Sequence, residues 1–164
     1  MYLIYDTETT GLPKNFSASI SDSENWPRLV QIAWQLHSSM GELIEVKNFI
    51  IKPVGFNIPF NSEKIHGIST QRALDYGQDL IDVLKEFNEA IDKSEFIVGH
   101  NIKFDINIVA AEFYRVKADS PLLGKKNIDT KEEGTDFCKI LGGRGGKYKW
   151  PTLLELYTKL FNID

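Results

Sequence analysis

The stretch YLIYDTETTGLP (residues 2–13) decides how this chain is read. Four apolar or aromatic residues run into two acids one residue apart, Asp6 and Glu8, and then into a Thr-Thr-Gly turn. Residues 2–7 read as a short buried strand, and residues i and i+2 of a strand point to one face. The two carboxylates therefore stand side by side at the carboxyl end of an apolar strand, where each disfavours ionisation of the other. A turn at a solvated strand edge accounts for them as well as a bound cation does, and the pair alone does not decide.

The rest of the chain supplies the context. LVQIAWQLH (29–37) and ELIEVKNFIIKP (42–53) read as two further strands, with a hairpin turn at Met40-Gly41 and an end at Pro53. Three consecutive strands predict an antiparallel meander. Residues 13–28, with four serines, two prolines and no periodicity, form a loop. Lys64 to Gly77 predicts two short helices broken near Gly67, the second capped by Ser69 or Thr70. Leu80, Leu84, Phe87 and Ile91 recur at helical spacing over about 79–92. EFIVGHN (95–101) is a short apolar strand, and Ile106, Val109, Ala110 and Phe113 mark the inner face of a helix over about 103–116. A strand at Asn127–Asp129, a helix around 131–140 and a last helix on Leu153, Leu156, Tyr157 and Leu160 follow. The expected fold is an α/β domain with a mixed sheet, a three-stranded antiparallel meander plus parallel strands, flanked by helices. It is one domain of 164 residues without repeats.

Composition narrows the function. A net charge of −4 gives no global attraction for a polyanion, so nucleic acid would have to be held by a local patch or by bound cations. A single cysteine excludes an internal disulfide and fits a reducing, cytoplasmic setting. No apolar run approaches the roughly 20 residues of a membrane span.

A third acid changes the weight of the first two. GHNIKFD (99–105) places Asp105 just after a second buried strand, in the first turn of a helix. There it also suits the helix dipole. Three acids at the ends of core elements form the oxygen-rich set that holds Mg²⁺ or Mn²⁺ and leaves positions for phosphate and water.

With these residues in view, YDTETTGLP resembles the first motif of the DEDD exonuclease superfamily, and VGHNIKFDINIV (98–109) resembles the second. PFNSEKIHGIS (59–69) resembles the segment between them in the branch that includes the proofreading epsilon subunit of bacterial DNA polymerase III. The likeness runs in order over residues 1 to about 130. It implies a ribonuclease-H-like fold and 3′→5′ hydrolysis from the single-stranded or frayed 3′ end of DNA, with release of nucleoside monophosphates. It also implies two Mg²⁺ or Mn²⁺ ions, Asp6 bridging both, Glu8 holding the first and Asp105 the second. Thr9, Thr10, Gly11 and Leu12 would cradle and wedge the terminal nucleotide. His66 would lie beside that nucleotide, while Asn101, with His100, would brace the strand–helix turn or touch substrate. A DNA polymerase subunit is the implied partner. RNA trimming by the same fold, in the manner of oligoribonuclease or ribonuclease T, and a binding module without chemistry are the rival readings.

The pattern departs from the superfamily at its last motif. A general base and fourth carboxylate, as His-x₄-Asp or Tyr-x₃-Asp, occur nowhere outside the opening strand and the 98–109 stretch. The helix that should precede them, WPTLLELYTKLFNID (150–164), is present. The expectation is a piece of a longer chain, with a naturally minimal, inactive relative as the alternative; in such a piece one ion or none would bind. The loop GGRGGKYKWP (142–151) fails as a phosphate loop, because Tyr148 stands where Ser or Thr is needed. Its cations and aromatics suit single-stranded nucleic acid, or a solvated loop with Trp150 beside Pro151.

Overall fold

The structure, a computed structural model, describes residues 1–163. Five strands form one sheet in the order β3-β2-β1-β4-β5. They are β1 (Tyr2–Thr9), β2 (Leu29–His37), β3 (Leu43–Ile50), β4 (Phe96–Gly99) and β5 (Lys126–Asp129). The meander β1-β2-β3 is antiparallel, whereas β4 joins β1, and β5 joins β4, in parallel. The expected mixed sheet is therefore present, with crossover helices where parallel pairing requires them.

The inward residues of β1 and β2 (Leu3, Tyr5, Leu29, Ile32, Trp34 and Leu36) are buried against α3 (Leu80–Lys93) and α4 (Ile102–Arg115). Trp34 and Tyr5 both pack on Phe87, with ring centroids 5.1 and 4.9 Å away. Asp79 starts α3 by accepting the amide of Ile81 at 2.8 Å. On α4 the expected inner face Ile106, Val109, Ala110 and Phe113 is buried throughout.

Several boundaries differ from expectation for identifiable reasons. β1 runs to Thr9, not residue 7, because Asp6 and Glu8 pair with Ala33 and Gln31 of β2. The two acids lie within the ladder, not beyond it. On the other side β4 pairs β1 only as far as Ile4, so the second half of β1 has one neighbour. β3 ends at Ile50; Ile51 instead bridges Gln78, and no strand reaches Pro53. The short helices α1 (Phe60–His66) and α2 (Thr70–Tyr76) break at Gly67, whose φ of +74° is the left-handed end of α1. Ser69 caps α2, while the Thr70 hydroxyl accepts the amide of Ile58. His100 and Asn101 fall outside β4 and form the turn into α4.

The last helix forms where its spacing predicts. α5 (Thr130–Cys138) and α6 (Leu153–Phe161) pack on one another, but of the four periodic apolar residues of α6 only Leu156 is buried. Leu153, Tyr157 and Leu160 are each more than half exposed. The helical spacing is real, yet the described residues put no partner over that side. Among them no helix is long and apolar enough to cross a membrane.

Candidate active site

The half-paired end of β1 builds the site. Along β1 burial alternates, so Thr7 and Thr9 point inward, and Asp6 and Glu8 share the opposite face. Where β4 has stopped, the first turn of α4 takes its place. Asp105, only 3% exposed, accepts both the amide of Thr7 at 3.0 Å and its hydroxyl at 2.6 Å. Both bonds go to Oδ1, so a side chain on α4 completes the ladder that β4 leaves open.

The electrostatics are those of crowded, partly dehydrated acids. Burial pushes the Asp105 carboxyl up to about 7, with the charge of Asp6 adding to the rise and the Thr7 bonds opposing it. Asp6 is raised by burial, against the opposing pull of the Thr7 amide and His100. Glu8 is raised by burial and by Asp6, while His66 lowers it. Asp6 thus acts on both other acids and links them electrostatically. Among the described residues no three His, Cys, Asp or Glu side chains close into one metal-sized cluster. The arrangement is an open donor set, not a preformed cage. Its chemistry still suits a hard divalent cation, which would offset the charge that these carboxyls resist carrying.

Beside Glu8 lies a cavity of about 260 Å³, lined by Thr7, Glu8, Gly11, Leu12, Ile65, His66 and Phe104 among others. Leu12 projects into solvent at 74% exposure. His66 Nδ1 accepts the amide of Ile68 at 3.1 Å, which leaves the hydrogen of the neutral ring on Nε2. Nε2 is buried and has no partner among the described residues.

The turn at residues 9–12 is held from behind. The Thr10 amide donates to Arg28 O at 3.0 Å, and the Arg28 amide donates to the Thr10 hydroxyl at 2.9 Å. The Thr9 hydroxyl donates to Gly11 O at 2.6 Å. Of the amides expected to cradle a nucleotide, that of Thr10 is therefore spent inside the fold. Arg28 is held by Glu112, which is fully buried on α4 and accepts from Arg28 Nε and the Leu29 amide, each at 2.9 Å. Arg115 completes the brace at 3.0 Å.

Asn101, the residue before α4, has a left-handed conformation (φ 68°). Its amide donates to Asp129 Oδ1 at 2.8 Å, and its Oδ1 accepts from Lys131 Nζ at 2.5 Å. His100 lies with Nδ1 at 3.1 Å from the Thr130 hydroxyl and Nε2 at 3.0 Å from Pro151 O. Both residues tie β4 to the elements that follow.

Of the predicted residues, Glu8, Thr9, Gly11, Leu12 and His66 line the cavity; Asp6 acts electrostatically on Glu8 and on Asp105, and Asn101 bonds instead to Asp129 and Lys131. Sequence reasoning missed Thr7, Phe104, Ile65 and the Arg28–Glu112 brace. Thr7 stands between the two acids and had a legible signal; the brace spans 84 positions and had none.

A family model described as RNase_T: Exonuclease matches residues 3–161. Among solved structures the chain is similar to E. coli exonuclease I in complex with a dT13 oligonucleotide (TM-score 0.72, 20% identity, 99% of this chain and 36% of that one). It is similar to the same E. coli enzyme with a dA16 oligonucleotide (TM-score 0.74, 20% identity, 99% and 36%). A product-bound exonuclease I gives TM-score 0.73 at 20% identity, covering 99% and 38%. At that identity the likeness shows the fold, and the chain spans a little over a third of those proteins' length. No curated protein matches it.

Proposed function

The chain belongs to the RNase_T exonuclease family, and from that premise we propose that it removes nucleotides from the 3′ end of nucleic acid, DNA in preference to RNA. The observation that supports this reading is the electrostatic coupling of Asp6 to Glu8 and to Asp105, with Glu8 lining a cavity where His66 Nε2 has no partner among the described residues. Asp6, Glu8 and Asp105 would hold Mg²⁺ or Mn²⁺, two ions in the full reaction. Such ions acidify water and offset charge on the attacking and leaving oxygens.

The chain's own residues do the remaining work. Thr7 fixes Asp105 through Oδ1. Leu12, Ile65 and Phe104 give the cavity apolar walls against which the terminal sugar and base pack. His66 Nε2–H donates to an oxygen of the terminal nucleotide, a bond that no described residue supplies. Proofreading beside a polymerase subunit is the setting that the sequence resemblance implies.

The test is trimming of 5′-labelled DNA and RNA oligomers of matched sequence with Mn²⁺. Shortening from the 3′ end by the parent protein, its loss in Asp6→Ala, and faster turnover of DNA are expected. Trimming that survives Asp6→Ala refutes the assignment. A second reading, a nucleic-acid-binding module without hydrolysis, is favoured by the open donor set. It predicts oligomer binding with no Mn²⁺ uptake in calorimetry and no product at any pH.

A further inference from the structure

Residues 139–150 carry four cations (Lys139, Arg144, Lys147 and Lys149) and no acid, in a chain whose net charge is −4. Tyr148 and Trp150 are interleaved with them. The segment is anchored at both ends. The Lys149 amide donates to Ile140 O at 2.8 Å, and Lys149 Nζ is neutralised by Glu155 at 2.7 Å. Pro151 O lies 3.0 Å from Nε2 of His100, in the turn between β4 and α4. Lys131 Nζ stands 4.1 Å over the Trp150 ring while bonded to Asn101, four residues before Asp105. An aromatic side chain is thereby held beside the turn that opens α4, the helix of Asp105, yet Trp150 remains 61% exposed.

Packing alone does not account for this arrangement. An indole that served only to fill space would be covered, and the three cations other than Lys149 have no acid paired with them among the described residues, so they repel one another unless an anion is present. Lys149 is the paired one; Arg144 and Lys147 make no hydrogen bond among the described residues. Glu132 and Glu133 begin α5 beside Lys131, so the positive field comes from the 139–150 segment itself.

We propose that this segment, with Lys131, is a docking strip for single-stranded nucleic acid, Trp150 stacking on a base and Arg144 and Lys147 lying against phosphates. The strip rests on the exonuclease reading and extends it: the cleft takes the terminal nucleotide, and the strip holds the strand that leads into it. Stacking on an exposed aromatic combined with backbone charge contact is tolerant of sequence, as an end-trimming enzyme requires.

The experiment is fluorescence anisotropy with oligothymidylates of three and ten nucleotides, with Ca²⁺ in place of Mn²⁺ so that the strand stays whole. The parent protein binds the longer oligomer more tightly, and that gain is the quantity read. Trp150→Ala is expected to lower affinity for the longer oligomer about tenfold, and Trp150→Phe by less than about threefold. The double variant Arg144→Ala, Lys147→Ala alters only exposed side chains without partners. It should lower the slope of log K against log salt by about 1.4, at roughly 0.7 per single-strand phosphate contact. Unchanged affinity in Trp150→Ala together with an unchanged slope in the double variant overturns the strip. Equal affinity of the parent for both oligomers overturns the strip alone, whereas no binding of either overturns the exonuclease reading with it.

Discussion

Asp105→Asn should stabilise the metal-free protein at alkaline pH, although it removes a central carboxyl. Asp105 is almost fully buried, and its carboxyl lies near 7 in the fold against 3.8 in the open chain. Because the folded value is the higher one, the fold holds the proton longer. The resulting stability is complete below about pH 3.8 and is lost as pH rises through about 7. At 1.36 kcal/mol per pH unit, the difference between 3.8 and about 7 corresponds to roughly 4 kcal/mol, nearly all of it gone by pH 8. Asparagine keeps an oxygen for the Thr7 amide and hydroxyl but has no charge to bury. Urea unfolding in EDTA, followed by circular dichroism, should therefore show Asp105→Asn more stable than the parent by about 2–4 kcal/mol at pH 8 and by under about 1 kcal/mol at pH 4. Mn²⁺ should then raise the stability of the parent at pH 8 and leave the variant unmoved. A variant less stable than the parent at pH 8 in EDTA refutes the argument, since it would mean that the charge is welcome where it sits.

Two further perturbations probe how the site is held. Glu112→Ala leaves Arg28, Arg115 and the Leu29 amide without their shared acceptor, and should cost about 3–5 kcal/mol in urea unfolding. Because Arg28 brackets Thr10, the variant should also raise KM for trimming where it still folds. At Gly99 an added Cβ would stand 2.5 Å from Ile102 Cδ1 and 3.1 Å from Tyr5 O, so the buried Ile102 side chain must leave its place or the first turn of α4 must shift. Gly99→Ala should cost about 1–3 kcal/mol, read from thermal unfolding, and slow trimming by displacing Asp105.

Much of this fold was legible because its signals are local. The period-2 strands, the Gly67 break, the Ser69 cap and the buried stripe of α4 each follow from neighbouring residues. The mixed sheet follows from three strands in succession and then alternation with helices. Asp6 and Glu8 were legible as a same-face pair, and Asp105 as an acid after a second core strand. What the chain did not disclose depends on distance in sequence. Nothing in residues 2–9 shows that β4 stops beside Ile4, which makes the end of β1 one-sided. Nothing near Glu112 shows that its partner is Arg28. α6 is silent for a different reason: its spacing fixes which residues share a side, but not whether anything covers them.

The one-sided end of β1 has a consequence for observing the protein in solution. The Thr7 amide would ordinarily bond a neighbouring strand; here it bonds the Asp105 carboxyl. A backbone proton is thereby wired to the acid at the heart of the cleft. Its nuclear magnetic resonance shift should follow the ionisation of Asp105, and respond when a cation draws on the same carboxylate. Thr7 therefore gives the protein an internal reporter, carried by a backbone atom that no substitution is needed to install.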